Sequence, residues 1–314
     1  MALGLTASLG CSKHETIVCP ELEILHCFLI AWGDTGSAPG QFNSPIDVAV
    51  GPTGEVYVTD FYNRRIQEFT PGGVFVRHFG FLGTDPERLG NPANVAVGPD
   101  GIVYVTDPTL HRIQKFSKEG AWLGMTGEQG TLPGFFDFPT GIAIDFLGLL
   151  YVADTNNHRI QVLTAGLEFV REWGFEGTRE GRFRYPYGVA VDDEGLVYVA
   201  DTENNRIQKF QGDGTYVSQW GGRGVGAGQF DFPRDIAIDG SGFLYVTDVR
   251  NDRIQVFDKE ATFLFQWGHY GGGRALFNKP FGIGANPSAG LLFIADTYNF
   301  RIQAFGVCAC EPAF

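Results

Sequence analysis

An all-β ring of six four-stranded antiparallel blades, a β-propeller, is the fold class this sequence predicts, on three observations. One polar phrase returns six times, with its Asp at Asp60, Asp107, Asp154, Asp201, Asp248 and Asp296 and its Arg at Arg65, Arg112, Arg159, Arg206, Arg253 and Arg301. The step is 47 residues, with one of 48 at the end. A Pro followed by a short apolar run keeps that step from Pro45 through Pro92, Pro139, Pro186 and Pro233 to Pro280, and a closing Gly does so from Gly33 to Gly268. Within each unit the apolar runs alternate as strands do, and none has the length or period of a helix. Four short strands in a period of about 40–50 residues point to blades that stack around a channel, each hiding its neighbour's apolar face.

The fourth unit shows how the residues divide. Gly188-Val-Ala-Val-Asp192 is an apolar strand that ends at the turn-prone Asp193-Glu-Gly195, and Leu196-Val-Tyr-Val-Ala200 follows as the second strand. Asp201 to Asn205 make a polar connection, Arg206-Ile-Gln-Lys-Phe210 alternates as the third strand, and a turn at Gln211-Gly-Asp-Gly214 leads to Thr215-Tyr-Val-Ser-Gln-Trp220 as the fourth.

The ends complete the pattern. Residues 24–33 match the end of a unit with no beginning, and the last unit stops at Phe305-Gly306 without an outer strand, so the N-terminal strand is expected to fill blade six and close the ring. The organisation read from sequence is an N-terminal tail over 1–23, a propeller over 24–306 and a C-terminal tail over 307–314. All five Cys lie near the two ends, at Cys11, Cys19, Cys27, Cys308 and Cys310. Counting along the repeat puts Cys27 and Cys308 at the tip where the ends meet. A Cys27–Cys308 or Cys27–Cys310 bridge would lock the ring, worth several kcal/mol for a loop of about 280 residues; reduced thiols are the other reading. The opening Ala-Leu-Gly-Leu-Thr-Ala-Ser-Leu-Gly-Cys resembles the last part of a bacterial lipoprotein signal, with Cys11 as the lipid-bearing residue and export to an extracytoplasmic compartment as the consequence. It lacks a basic start and carries Ser8 where Leu is usual, so a disordered or truncated N-terminus in a cytoplasmic protein is the alternative.

The 314 residues carry a formal charge of −13 spread along the chain, with no Lys/Arg cluster. Nucleic acid and anionic membrane surfaces are therefore disfavoured as partners. No run is long enough for a spanning helix, and no phosphate-cradling Gly loop or nucleophile elbow is present.

Thr155-Asn-Asn-His-Arg-Ile-Gln-Val162, Tyr151-Val-Ala-Asp154 and Gly228-Gln-Phe-Asp-Phe-Pro233 resemble NHL repeats, over roughly residues 24–306. Tryptophan-aspartate repeats fit worse, and the Tyr-Trp-Thr-Asp propellers are a nearer runner-up without the Trp. The resemblance implies three precedents. In peptidyl-hydroxyglycine amidating lyase, zinc is held by His residues directly after the repeat Pro; here those places hold Ile46, Ala93, Thr140, Tyr187, Arg234 and Phe281, which excludes that activity. RNA-binding propellers of tripartite-motif ubiquitin ligases have a basic face and upstream zinc modules that this chain does not show. Extracytoplasmic bacterial propellers that bind a ligand or protein resemble it best, and the expected role is a non-enzymatic binding scaffold that needs no cofactor. A hydrolase or lyase with a channel-mouth metal is the alternative; its carboxylates would have to come from Asp47 and Asp235, in blades that are not adjacent, and no convergence is expected.

The sixfold Asp/Arg pair reads as structure, tying the second strand to the third. Candidate binding residues are the variable ones. Phe61, Tyr62 and Arg64 of blade one face Tyr298 and Phe300 of blade six across the closure, a set suited to a protein or peptide. Arg250 stands in blade five's connection. Tyr187, Arg234 and Phe281 stand at the channel mouth, where a small polar or acidic ligand would fit. His111 and His158 hold one place in adjacent blades, either as shared metal ligands or as solvated loop residues.

Overall fold

The computed structural model describes residues 25–80, 87–286 and 288–308. Expectations for Cys11, Cys19 and Cys310 lie outside them. Each blade is a four-stranded antiparallel meander. Blade one runs β2 (Pro45–Val50), β3 (Val56–Asp60), β4 (Arg65–Phe69) and β5 (Phe75–Phe79). Blade six has β22 (Pro280–Asn286), β23 (Leu291–Asp296), β24 (Arg301–Cys308) and, as its outer strand, β1 (Leu25–Trp32). The register Leu25↔Cys308 to Trp32↔Ile302 joins the two chain ends, so the ring closes as the sequence predicts. Cys27 is disulfide-bonded. The side chain of Cys308 is outside the described residues, and the identity of the bridge stays an expectation.

The core lies between blades. Tyr151, Ile160 and Val162 of blade three pack on Val189, Val197, Val199 and Phe210 of blade four, and the closure repeats this with Val48, Val56 and Phe69 against Phe293, Ile302 and Ala304. Because each sheet is covered on both faces, the second strand of blades one to five is buried at every position; strict in/out alternation survives only in outer strands such as Tyr216–Gly221.

A loop before five of the six inner strands brings a Phe into the core, at Phe42, Phe136, Phe183, Phe230 and Phe277, and blade two uses Leu89, all fully buried. The closing Gly makes room for it. At Gly174 φ is +96°, and a Cβ would sit 2.5 Å from Phe183 Cδ2.

Candidate functional site: the channel mouth and its rim

The repeated latch is built on the rim and is saturated. In blade four, Arg206 gives Nε to Asp201 Oδ2 at 2.7 Å, Nη1 to Gln219 at 2.6 Å and Nη2 to the carbonyls of Arg179 and Arg182 at 2.9 Å each. Asp201 also accepts from Asn204, from Gln208 and from the N–H of Arg184. Burial raises the Asp201 carboxyl above its ordinary range, and those hydrogen bonds oppose the rise. The same Nε to Oδ2 contact occurs in blades one, three, five and six. Blade two differs, as its Pro108-Thr109-Leu110 connection forewarns: Asp107 accepts from Thr109 Oγ1 and from the N–H groups of Gly90 and Asn91, while Arg112 donates to Arg88 O.

The histidines belong to this framework. Each sits in the left-handed region at the end of its connection, with φ +50° for His111 and +55° for His158. His111 Nδ1 accepts the N–H of Phe138 at 3.2 Å, and His158 Nδ1 accepts that of Tyr185 at 3.1 Å. Asn205 Oδ1 and Asp252 Oδ1 do the same for Phe232 and Lys279. All four are acceptors that fasten one blade to the next, a role that suits a neutral imidazole; burial lowers His158 accordingly. Among the described residues no group of three or more His, Cys, Asp or Glu is placed to hold a metal. At the ring closure Phe300 takes this place, with φ +54° and no side-chain acceptor to offer.

The residues after each repeat Pro face the channel. Tyr187, Arg234 and Phe281 from three consecutive blades and Ile46, Ala93 and Thr140 from the other three line it together. Beneath them the throat narrows to about 10 Å³, too little for more than a single water. Above them opens a cavity of about 210 Å³, whose outer wall includes Phe61, Tyr62, Phe138 and Tyr298. Tyr62 and Tyr298 are 61% and 53% exposed, so the rim is aromatic and open to solvent. The aromatics of blades one and six therefore meet across the closure as the sequence suggests. Arg64, Phe300, Arg250, His111 and His158 do not line this cavity. Arg250 lies instead 4.5 Å above the Phe232 ring and 3.4 Å from Asp231.

The Arg234 guanidinium stands 3.8 Å over the Phe281 ring and 5.1 Å over that of Tyr187. Burial lowers its pKa, against the pull of Tyr187, Asp235 and Asp47.

One expectation fails here. Asp47 and Asp235 do converge: both line the channel below the throat, close enough for their carboxyls to couple electrostatically. Each also takes a backbone N–H from the following blade, Asp47 from Val95 at 2.9 Å and Asp235 from Ile283 at 3.0 Å. Gly282 lies between them, and a Cβ there would meet Ile46 O at 2.5 Å and strike Asp47. Burial and the mutual charge raise Asp47 well above the ordinary carboxylate range, and burial raises Asp235. Two buried carboxyls coupled in this way favour a state in which they hold one proton between them. The sequence reading missed the meeting because separation along the chain was taken as separation in space; the channel is narrow enough for side chains two blades apart to touch. The lower channel is otherwise lined by Val, Ala and Ile residues together with Asn94 and Gly284, around a cavity of about 170 Å³.

The NHL repeat family model matches residues 42–69, 136–163, 183–210 and 230–257, four of the six blades. The chain is an NHL-repeat propeller. No curated protein sequence matches it. Among solved structures, this NHL propeller is similar to a streptogramin B lyase, at 15% identity over 91% of this chain and 97% of the other with a TM-score of 0.62. A virginiamycin B lyase from Staphylococcus aureus matches at 14% identity over 91% and 99%, TM-score 0.60. A protein of unknown function from Bacteroides thetaiotaomicron matches at 17% over 91% and 77%, TM-score 0.69. At these identities the likeness concerns the fold.

Proposed function

We propose that this NHL propeller is a non-enzymatic binding scaffold whose working face is the rim and channel mouth bounded by blades one and six, and that its partner is a protein or peptide. The observation that carries the reading is the open aromatic cavity that Phe61, Tyr62, Phe281 and Tyr298 form over the closed throat. Exposed aromatics around a concave pocket are what a peptide contact uses. The latches of blades one and six fix the connections that carry Phe61, Tyr62 and Tyr298.

Random-peptide phage selected on the immobilised protein should enrich clones that lose at least tenfold in binding to a Tyr62→Ala/Tyr298→Ala variant of unchanged melting temperature. Equal binding to both proteins would overturn the rim as the working face.

A second reading, a lyase or hydrolase with a metal at the channel, draws on the convergence of Asp47 and Asp235. Elemental analysis after exhaustive dialysis separates the two: a stoichiometric divalent metal lost in Asp47→Asn would favour the enzyme.

A further inference from the structure

The five latch arginines with an Nε contact to Asp spend their donors inside the fold. Arg234 does not: among the described residues it makes no hydrogen bond and no ion pair within 4.0 Å, but stacks on Phe281 and Tyr187 and feels the charges of Asp235 and Asp47 at longer range. Ring stacking satisfies the faces of a guanidinium and leaves its five in-plane N–H donors unused. Arg234 lines the mouth cavity together with Ala93, Thr140 and the rings of Phe61, Tyr62, Phe138 and Tyr298.

A desolvated cation with free donors at the base of an aromatic cavity selects an anion carried on an apolar body. The acidic pair below the throat disfavours a dianion such as phosphate, whereas the single negative charge and planar fork of a carboxylate match one guanidinium. We propose that the channel mouth binds an organic carboxylate with an aromatic or apolar body, the carboxylate paired with Arg234 and the body packed among Phe61, Phe138, Tyr187 and Phe281. This deepens the binding-scaffold reading by naming the chemical class of its ligand. A free acid and the C-terminal carboxylate of a peptide share that chemistry.

The test is calorimetric titration of the intact protein with 3-phenylpropionate, 3-phenylpropionamide, and the tripeptide Gly-Gly-Phe as free acid and as C-terminal amide. At least one acid is expected to bind at least tenfold more tightly than its amide, and Arg234→Met is expected to erase that preference. Preference for the tripeptide acid assigns the site to peptide termini, and preference for phenylpropionate alone assigns it to small acids. Equal binding of acid and amide by the unmodified protein overturns the proposal without relying on any variant, as does failure of every probe at millimolar concentration. The rim reading is tested separately: if the Tyr62→Ala/Tyr298→Ala variant loses the selected peptides while acid and amide bind alike, the scaffold stands and the carboxylate site falls.

Discussion

Arg206 and Arg234 stand in neighbouring blades and have opposite chemistry. Arg206 is nearly enclosed and hydrogen-bonded to one carboxylate, one amide and two carbonyls. Arg234 is held between two rings and faces an open cavity with its donors unspent. A saturated arginine is part of the frame, and an unsaturated one is available to something that arrives. The contrast separates the repeated phrase, which builds the propeller, from the positions that the repeat leaves free to vary.

The comparison breaks most sharply at the latch. Asp201→Ala would leave Arg206 buried beside lost acceptors and should cost about 3–5 kcal/mol in urea unfolding, whereas Arg234→Met should change stability by less than about 1 kcal/mol. Equal losses would erase the distinction between the two arginines.

Gly282→Ala comes next. Its Cβ would strike Asp47 and Ile46 O, and overpacking of this kind costs about 1–3 kcal/mol, readable as a lower denaturation midpoint with an unchanged slope.

The carboxyl pair gives a prediction in pH. Both pKa values are raised in the fold, so the pair's contribution is fully present below the ordinary carboxylate range and is lost as pH rises through the folded values. Asp47→Asn keeps an acceptor for the Val95 N–H, as Asn94 does for Ile142 at 3.1 Å, and removes the ionisable partner. Its melting temperature should exceed that of the unmodified protein at pH 8 and converge with it toward pH 4.

His158→Ala should cost about 1 kcal/mol by orphaning the Tyr185 N–H, while His158→Asn, which copies Asn205, should be nearly neutral. The folded pKa of His158 is depressed, so its contribution is present above the unfolded value and is lost as pH falls; the Asn variant should flatten the stability profile on the acid side.

The smallest effect is expected at the ring closure. Phe300→Asn supplies the acceptor that this place lacks and suits the left-handed backbone, which should add about 0.5–1 kcal/mol to thermal stability.

The strands, the six blades, the Asp/Arg latch and the N-terminal strand that closes blade six were readable from the sequence. A repeat reports contacts that each copy makes with itself or with the next, because those are the contacts its spacing preserves. The tertiary structure decided what falls outside that rule. His111 and His158 read in the sequence either as shared metal ligands or as solvated loop residues, but their Nδ1 atoms are taken by the neighbouring blade. Phe138 joins the mouth cavity without any signal beyond its place before Pro139. Asp47 and Asp235 meet, and Arg234 keeps its donors free, because ring closure fixes the radius of the channel. That radius, set by six blades packing around one axis, determines which residues of non-adjacent blades touch, and no periodicity along the chain encodes it.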